Sequence, residues 1–425
     1  MRTTHLPSVR AAVRPVLALA LLAAGACDRV DRLLAIETPS RIAEDALLQP
    51  ANASLLVTSA TGDFHCALNS YIVVSGLAAG ELADVSQTAA RWSYDRRDVR
   101  PSDALYATTG CEGLGIYTPL STARYTNDQA LRRLEEWTDA EVPNRMRLIA
   151  QSAAFAGYSM LLLGEGFCSA PIEGGPELTS EQLFDSAEVR FTRAIEAATA
   201  AGATDLLNLA RVGRARARLN GGDAAGAIAD ATPVPAGFVY NLTGGTLGRY
   251  VNRVFAQNNS GTSVQIPVAY RGLTVQGQPD PRVVVSASTA GANDGSGPLF
   301  RQGKYSALDA NVRVASGVEA QLILAEATGG AAGGNILNTL RARASVGLPA
   351  LTAGEAAAFT ATVFEERRRE LWLQGNRWYD LRRGNLPLTP ATGATYPKGG
   401  VYGDQRCWPL PDVERFANDN IPDSP

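Results

Sequence analysis

From residue 127 onward, apolar residues recur at three- and four-residue intervals, the period of an amphipathic helix. Two such runs occupy 127–163. Leu131, Leu134 and Trp137 form the first stripe, and Met146, Ile149, Ala153, Ala156 and Met160 the second, with Pro143 in the break. A second pair follows. Ala187, Phe191, Ala194, Ile195 and Ala198 share one face of 181–200, and the pattern continues through 206–219 and 224–231 across the turn Gly221-Gly222-Asp223. Contacts made largely by alanine predict helices that pack closely as hairpins. The periodicity then lapses over 233–312, where Gly, Asn, Thr, Ser and Pro dominate and short β-like runs stand at 264–269 and 282–286. That stretch holds too much Val, Tyr and Phe to be simple disorder. Helices are predicted again at 318–327, 336–344 and 354–374, and the tail from Pro387 reads as loop. The fold class is therefore mainly α. Its helical core covers 127–232 and 313–384, and its loop-rich segments are 50–125 and 233–312. Long irregular segments on a rigid frame are where binding residues concentrate.

The N-terminus adds a destination. Arg10 and Arg14 precede an apolar run over 16–26, matching the charged and apolar regions of a secretory signal. At about 1.5 Å per residue the run cannot cross a hydrocarbon core of roughly 30 Å. No later stretch is expected to span a membrane either. The run ends in Leu22-Ala23-Ala24-Gly25-Ala26-Cys27, which resembles a bacterial lipobox with Ala24 where the pattern favours leucine. Residues 1–26 are accordingly expected to be a lipoprotein signal, with Cys27 lipidated and 27–425 forming one domain; cleavage near Ala26 with Cys27 free is the alternative. A diacyl anchor holds stably because two chains are buried, at about 0.8 kcal/mol per CH₂.

Three of the 39 basic residues and none of the 42 acidic ones fall within residues 1–26, so the remainder carries a net charge of −6. An acidic body argues against nucleic acid as a partner. Four cysteines follow Cys27: Cys66, Cys111, Cys168 and Cys407. An exported chain permits disulfides among them, and four cysteines allow three connectivities. Cys66–Cys111 with Cys168–Cys407 is the favoured arrangement, the second bond tying the chain's end to its body. A zinc site is the alternative, although no CxxC spacing supports it.

The densest local signal is the string from Glu366 to Arg383, Glu-Arg-Arg-Arg-Glu-Leu-Trp-Leu-Gln-Gly-Asn-Arg-Trp-Tyr-Asp-Leu-Arg-Arg. Phe359, Val363 and Leu371 mark an apolar helical face, and helical geometry sets Arg367 and Glu370 on that same face. Charges placed there must be buried with partners. Gly375 stands where a helix C-cap belongs, and Arg377 and Asp380 repeat the opposite-charge spacing beyond it. A solvated charge run is the bland alternative; the flanking Leu371, Trp372, Trp378 and Leu381 disfavour it.

This string resembles the C-terminal signature of SusD/RagB proteins, with Gln374 where the family usually has Glu. Three further stretches are similar to family segments in the same order: Leu322-Ile323-Leu324-Ala325-Glu326-Ala327, then 336–344 followed by Leu348-Pro349, and finally Cys407-Trp408-Pro409-Leu410-Pro411. Asp280-Pro281-Arg282 is similar to a short family turn. The resemblance implies a tetratricopeptide-like core of helical pairs with a loop-rich face, tethered by lipid to the outer membrane at the cell surface. It also implies a SusC-type TonB-dependent transporter as partner, an oligosaccharide or peptide as ligand, and no catalysis. In that picture Arg367, Glu370, Gly375, Arg377, Trp378 and Asp380 are structural.

Catalytic and cofactor chemistry finds little support. After residue 26 the chain has one histidine, His65, which excludes a histidine-based metal cluster, and no cofactor is expected. A dyad of His65 with Cys66 is conceivable, but adjacent side chains diverge and a disulfide cysteine is no nucleophile. The Gly-rich run 244–248 lacks the Lys-Ser/Thr of a phosphate loop. Sugar binding would need flat aromatic faces beside planar hydrogen-bonding groups. The candidates are Trp92 and Tyr94 with the neighbouring Asp95, Arg96 and Arg97, and Phe300-Arg301 with Lys304-Tyr305. A tetratricopeptide-like scaffold in envelope assembly and a secreted hydrolase are the competing readings.

Overall fold

The computed structural model describes residues 44–421. The signal segment 1–26 and Cys27 lie outside the described residues. The chain divides into two units, 1–49 and 50–425; the first contributes the short helix α1 (Glu44–Leu47), and all that follows belongs to the second.

The second unit is built on α2 (Ala53–Ala78). Twenty of its 26 residues are buried, and from Phe64 to Ala78 every residue is, so that part is enclosed on all sides and carries no polar stripe. That is why the loop-rich expectation for 50–125 fails. A helix without a solvent face shows no 3.6-residue alternation, and its Thr, Ser, Asn and Gly read as loop. The helices α3 (Ala89–Arg96) and α4 (Ala104–Thr108) follow, and then α5 (Tyr117–Glu136) and α6 (Arg145–Gly166), with Pro143 in the break as expected. By length and composition α6 could cross a membrane, contrary to the sequence expectation; its apolar surface is instead buried against α2, α5 and α7 (Ser180–Ala200).

A capping box of Thr179 and Gln182 starts α7, which packs on α6 and on α8 (Thr204–Asn220). Small residues set the spacing. A Cβ on Gly157 of α6 or Gly213 of α8 would lie 2.8 or 2.4 Å from the Phe191 ring, so the ring of α7 is held between two glycines. Asp223 caps α9 (Ala224–Ala231), the outer helix of this series of hairpins. Two-stranded antiparallel ribbons occupy the next segment, pairing 239–242 with 312–316, 264–265 with 83–84, and 285–291 with 298–302. The β-like runs read from the sequence supply strands to the last two.

The chain returns to helix in α10 (Gly317–Thr328), α11 (Gly330–Ala342), α12 (Ala353–Ala357), α13 (Phe359–Glu370), α14 (Arg377–Arg383) and α15 (Asp412–Phe416). Leu322, Leu337, Leu340, Val363, Phe364 and Leu371 form one core cluster among them. The charges on α13 are buried as predicted, but not with each other. Arg367 crosses to α14 and meets Asp380 bidentately, Nε to Oδ2 and Nη2 to Oδ1 both at 2.9 Å. Glu370 accepts from Arg282 at 3.3 Å and from Arg343 at 2.5 Å. Glu366 accepts from Arg282 at 2.5 Å and Arg341 at 2.7 Å, so Asp280-Pro281-Arg282 is fastened to the signature helix. Partners lie 13 to 88 residues apart in sequence, which is why helical spacing alone could not assign them.

Gly375 lies beyond the end of α13, not at its cap. Residues 371–375 form a turn, with Leu373 at φ 54 and Gly375 at φ 86. A Cβ on Gly375 would also press to 3.2 Å of the Tyr71 ring on α2. Trp378 is buried and stacks on Trp408, ring centroids 5.6 Å apart. Trp408 in turn joins its backbone to the end of α6, its N–H donating to Gly166 O at 2.9 Å. The Cys168–Cys407 bond closes at this point, and Cys66–Cys111 ties α2 to the loop before α5, giving the connectivity favoured from sequence.

Asp380→Asn removes one charge of a fully enclosed pair, and breaking such a pair costs about 3–5 kcal/mol. A lowered urea midpoint of that size is expected, with a smaller loss for the apolar double replacement Arg367→Met, Asp380→Leu. Equal losses in the two variants would show that packing, and not the charge pair, holds α13 to α14.

Candidate ligand-binding face

Among the residues read as ligand contacts, Trp92 is best placed. It lies half-buried on α3, its Nε1–H donating to Ser86 O at 3.2 Å. Lys398 Nζ stands 5.5 Å from the ring centroid, on a loop whose residues 395 and 401 form an antiparallel bridge. That ammonium is held by Asp84 Oδ1 at 2.8 Å and lies 3.7 Å from Asp294. The indole therefore sits beside a fixed cation and a half-buried carboxylate. Flat apolar area next to oriented polar groups is the combination that a sugar ring requires.

The support beneath Trp92 is polar and buried. Asp84 N–H donates to Asp95 Oδ2 at 3.0 Å, and the Tyr396 hydroxyl donates to the same oxygen at 3.5 Å. Burial pushes the Asp95 carboxyl up to about 7, with the Asp84 carboxylate adding to the effect. Arg97 ends α3 in the left-handed region, φ 59, and is buried; its Nε and Nη2 donate to Gly403 O at 3.0 Å and Pro390 O at 2.6 Å. It fastens α3 to the C-terminal loop and is not available to a ligand.

One helical turn along α3 from Trp92, Arg96 lines a cavity of about 340 Å³ with Ser93, Asp98, Arg100 and Asp103. Its Nε donates to Asp98 Oδ2 at 2.7 Å. Tyr94 is different. It is 1% exposed and its hydroxyl donates to Leu114 O at 2.9 Å, so it packs α3 on the core and offers no face to solvent.

Phe300 and Tyr305 divide in the same way. Phe300 is half-buried under the Arg271 guanidinium, 3.5 Å from the ring centroid. Tyr305 is buried with its hydroxyl donating to Leu373 O at 2.9 Å, and Lys304 Nζ donates to Trp372 O. Both secure the turn after α13. The stretches around Trp92 and Phe300 do come together. Val85, Ala292 and Leu299 form one apolar cluster, and Gln87 Nε2 donates to Asn293 O at 3.0 Å. Trp92, Arg96, Phe300 and Arg271 thus belong to one region, whereas Tyr94, Tyr305 and Arg97 are its foundation. Lys398 and Arg271 were missed in the sequence, where nothing distinguishes them from other loop cations.

His65 offers no chemistry. It is buried, which pushes its imidazole down to about 4, and Cys66 beside it is bonded to Cys111. Among the described residues no group of three or more His, Cys, Asp or Glu could hold a metal ion.

These features define the class as a helical-hairpin protein with a loop-built face. Residues 318–413, from α10 to α15, match the SusD family model. The fold is that of a SusD superfamily protein from Bacteroides vulgatus (15% identity, 88% of this chain and 100% of that one covered, TM-score 0.66). It is shared by another from Parabacteroides distasonis (14%, 90% and 99%, TM-score 0.65) and by surface glycan-binding protein A from Bacteroides thetaiotaomicron, solved in complex with laminarihexaose (14%, 87% and 98%, TM-score 0.66). At such identities the structural likeness is one of fold. No curated protein matches the chain. Residues 318–413 thus match the SusD family, and the fold over most of the chain is that of SusD superfamily structures.

Asp95 gives the face a pH signature. An unfolded aspartate ionises near pH 3.9, whereas the folded one holds its proton to about 7. Between those values the native state binds the extra proton, so this contribution to stability is lost as pH rises from about 4 to about 7. Asp95→Asn keeps an acceptor for Asp84 N–H and cannot ionise. Its Tm is expected to gain on the parent between pH 5 and pH 8; an unchanged difference would show that Asp95 does not titrate in this window.

Proposed function

We infer that this chain is a lipid-anchored cell-surface protein that captures a glycan and delivers it to a SusC-type TonB-dependent transporter in the outer membrane. The observation that carries the reading is the half-buried Trp92 ring beside Lys398 and Asp294, next to the Arg96–Asp98 cavity. The fold adds weight, since a relative of the same fold was solved with laminarihexaose. A sugar chain lying across Trp92 would bury an apolar ring face on the indole while its hydroxyls meet Lys398, Asp294, Arg96 and Asp98. Binding is the whole of the proposed activity, and a peptide is the second ligand class. Residues 27–425 act as one domain. Cys27 carries the lipid, which leaves membrane attachment independent of the acidic surface.

A panel of oligosaccharides that includes laminarihexaose, titrated by calorimetry, tests the capture step. Trp92→Ala is expected to weaken the tightest binder by about ten- to a hundredfold, since an aromatic contact of this kind is worth about 1.5–3 kcal/mol. Tm should be unchanged. Full affinity in the variant would move the site away from α3.

The partner and the anchor are tested in the native envelope. Full-length protein solubilised in mild detergent is expected to bring down a large TonB-dependent barrel in near-equal amount, and Cys27→Ala should leave the membrane fraction. Recovery with periplasmic assembly factors instead would favour a scaffold role.

A further inference from the structure

Among the described residues, one arginine of the signature segment has a guanidinium that makes no hydrogen bond or direct ion pair. Arg367 is paired with Asp380. Arg382 donates to Phe167 O and Ser180 Oγ at 3.2 and 3.0 Å, and Arg383 pairs with Glu326 and Asp380. Arg377, the first residue of α14, makes no hydrogen bond or ion pair with any described residue, and its Nη1 is shut off from solvent. The opposite-charge spacing of Arg377 and Asp380 therefore gives no direct ion pair, although the Arg377 charge still acts on the Asp380 carboxyl. Buried donors without acceptors are uncommon in folded proteins and call for a specific cause.

Arg377 lines a cavity of about 290 Å³, together with Gly80, Tyr270, Glu365, Arg368 and Thr389. The cavity is preformed. Arg368 is held by Glu365 through Nε and Nη2 at 2.6 and 2.7 Å and lies over the Tyr270 ring, 4.6 Å from its centroid. Tyr270 is itself stacked on Trp372 at 6.1 Å. On the opposite wall Gly80 at φ 70 lets the chain approach Thr389, whose carbonyl would lie 2.1 Å from an added Cβ. The lining carries two guanidinium groups against one carboxylate, and Glu365 is already shared, accepting from Arg369 Nε at 2.7 Å as well. Two further carboxyls feel the Arg377 charge: Asp380, already paired with Arg367, and Glu81, which burial pushes up to about 7 and whose Oε1 accepts from Leu373 N–H at 3.3 Å. Below about pH 7 Glu81 holds its proton and does not offset the guanidiniums.

The volume sits at the lower end for small-ligand pockets, which begin at roughly 300 Å³. It suits a single charged group or one sugar unit and excludes a chain. A free guanidinium fork recognises planar or tetrahedral oxyanions through paired N–H donors. We propose that the cavity between α13, α14 and the 269–270 turn is an oxyanion site, in which Arg377 takes the carboxylate or sulfate group of an acidic sugar while Arg368 and Glu365 form a fixed wall. The site is separate from Trp92 and does not depend on glycan capture there. Tyr270 is nevertheless followed directly by Arg271, the residue stacked on Phe300, so the two sites are joined by one turn.

The test uses full-length protein titrated with glucuronate, glucose 6-sulfate and inorganic sulfate, with glucose as the uncharged control, followed by calorimetry and by NMR of the Trp and Arg side chains. Saturable binding of at least one anion is expected, with glucose silent. Glucuronate alone binding identifies a carboxylate site; glucose 6-sulfate or inorganic sulfate binding identifies a sulfate site. Arg377→Met should weaken the anion at least tenfold while Tm holds or rises, because no ion pair is lost. Arg377→Lys should retain part of the affinity. Trp92→Ala should leave anion binding intact, which separates failure here from failure of the glycan reading. No saturable anion binding, or equal affinity in Arg377→Met, overturns the proposal. Should Arg377→Met not fold, a crystal of the parent soaked in glucuronate must show the carboxylate on Arg377, and an empty cavity overturns it equally.

Discussion

The contact between Arg367 and Asp380 is the constraint on which the C-terminal third of the molecule depends. Its two parallel hydrogen bonds fix the angle between α13 and α14 across a turn that holds two positive φ angles. Burial alone would push the Asp380 carboxyl up, but the Arg367 and Arg383 guanidiniums hold it below the usual carboxylate range. A pair of this kind contributes little net stability compared with an apolar replacement, yet it is costly to half-remove. It therefore acts by specifying one arrangement. Glu366 and Glu370 extend the same logic outward, drawing Arg341 and Arg343 from the end of α11 and Arg282 from a distant loop onto α13.

That arrangement determines what lies around it. With α14 fixed, Trp378 meets Trp408 at the end of α6, and the C-terminal tail is pinned where Cys407 can reach Cys168. With the turn after α13 fixed, Trp372 O and Leu373 O become acceptors for Lys304 and Tyr305, which hold the end of the ribbon that carries Phe300. The ligand-facing region is thus assembled from loops, but each loop is fastened to the helical frame by a buried polar contact. Arg97, binding two carbonyls more than 290 residues away in sequence, is the clearest instance.

The helical hairpins supply the rigid part by another route. Their close approach is made by glycines against Phe191 and Phe184, where a single methyl group would collide with a ring. Polar residues within this core are paired: Arg216 meets Glu165 at 2.5 Å and Glu319 at 3.3 Å, and Asn376 donates to the same Glu319 oxygen. The network couples the hairpins to the start of α14, so frame and signature helix are one body.

Local periodicity determined much of this in advance. The helices from 180 to 231, the break at Pro143 and the burial of Arg367 on α13 were legible, because each depends on residues a few positions apart, whereas the choice among three disulfide pairings was made by the fold. Tertiary structure decided the rest. The central helix α2 was invisible because most of its length, from Phe64 on, is buried on every side and has no stripe. The partners of Arg367 and Glu370, the burial of Tyr94 and Tyr305 beside the accessible Trp92 and Phe300, and the isolation of Arg377 all depend on which distant segment packs against each side chain. Spacing along one helix tells which residues face inward; it does not tell what they find there, because that is settled by the meeting of chains far apart in sequence.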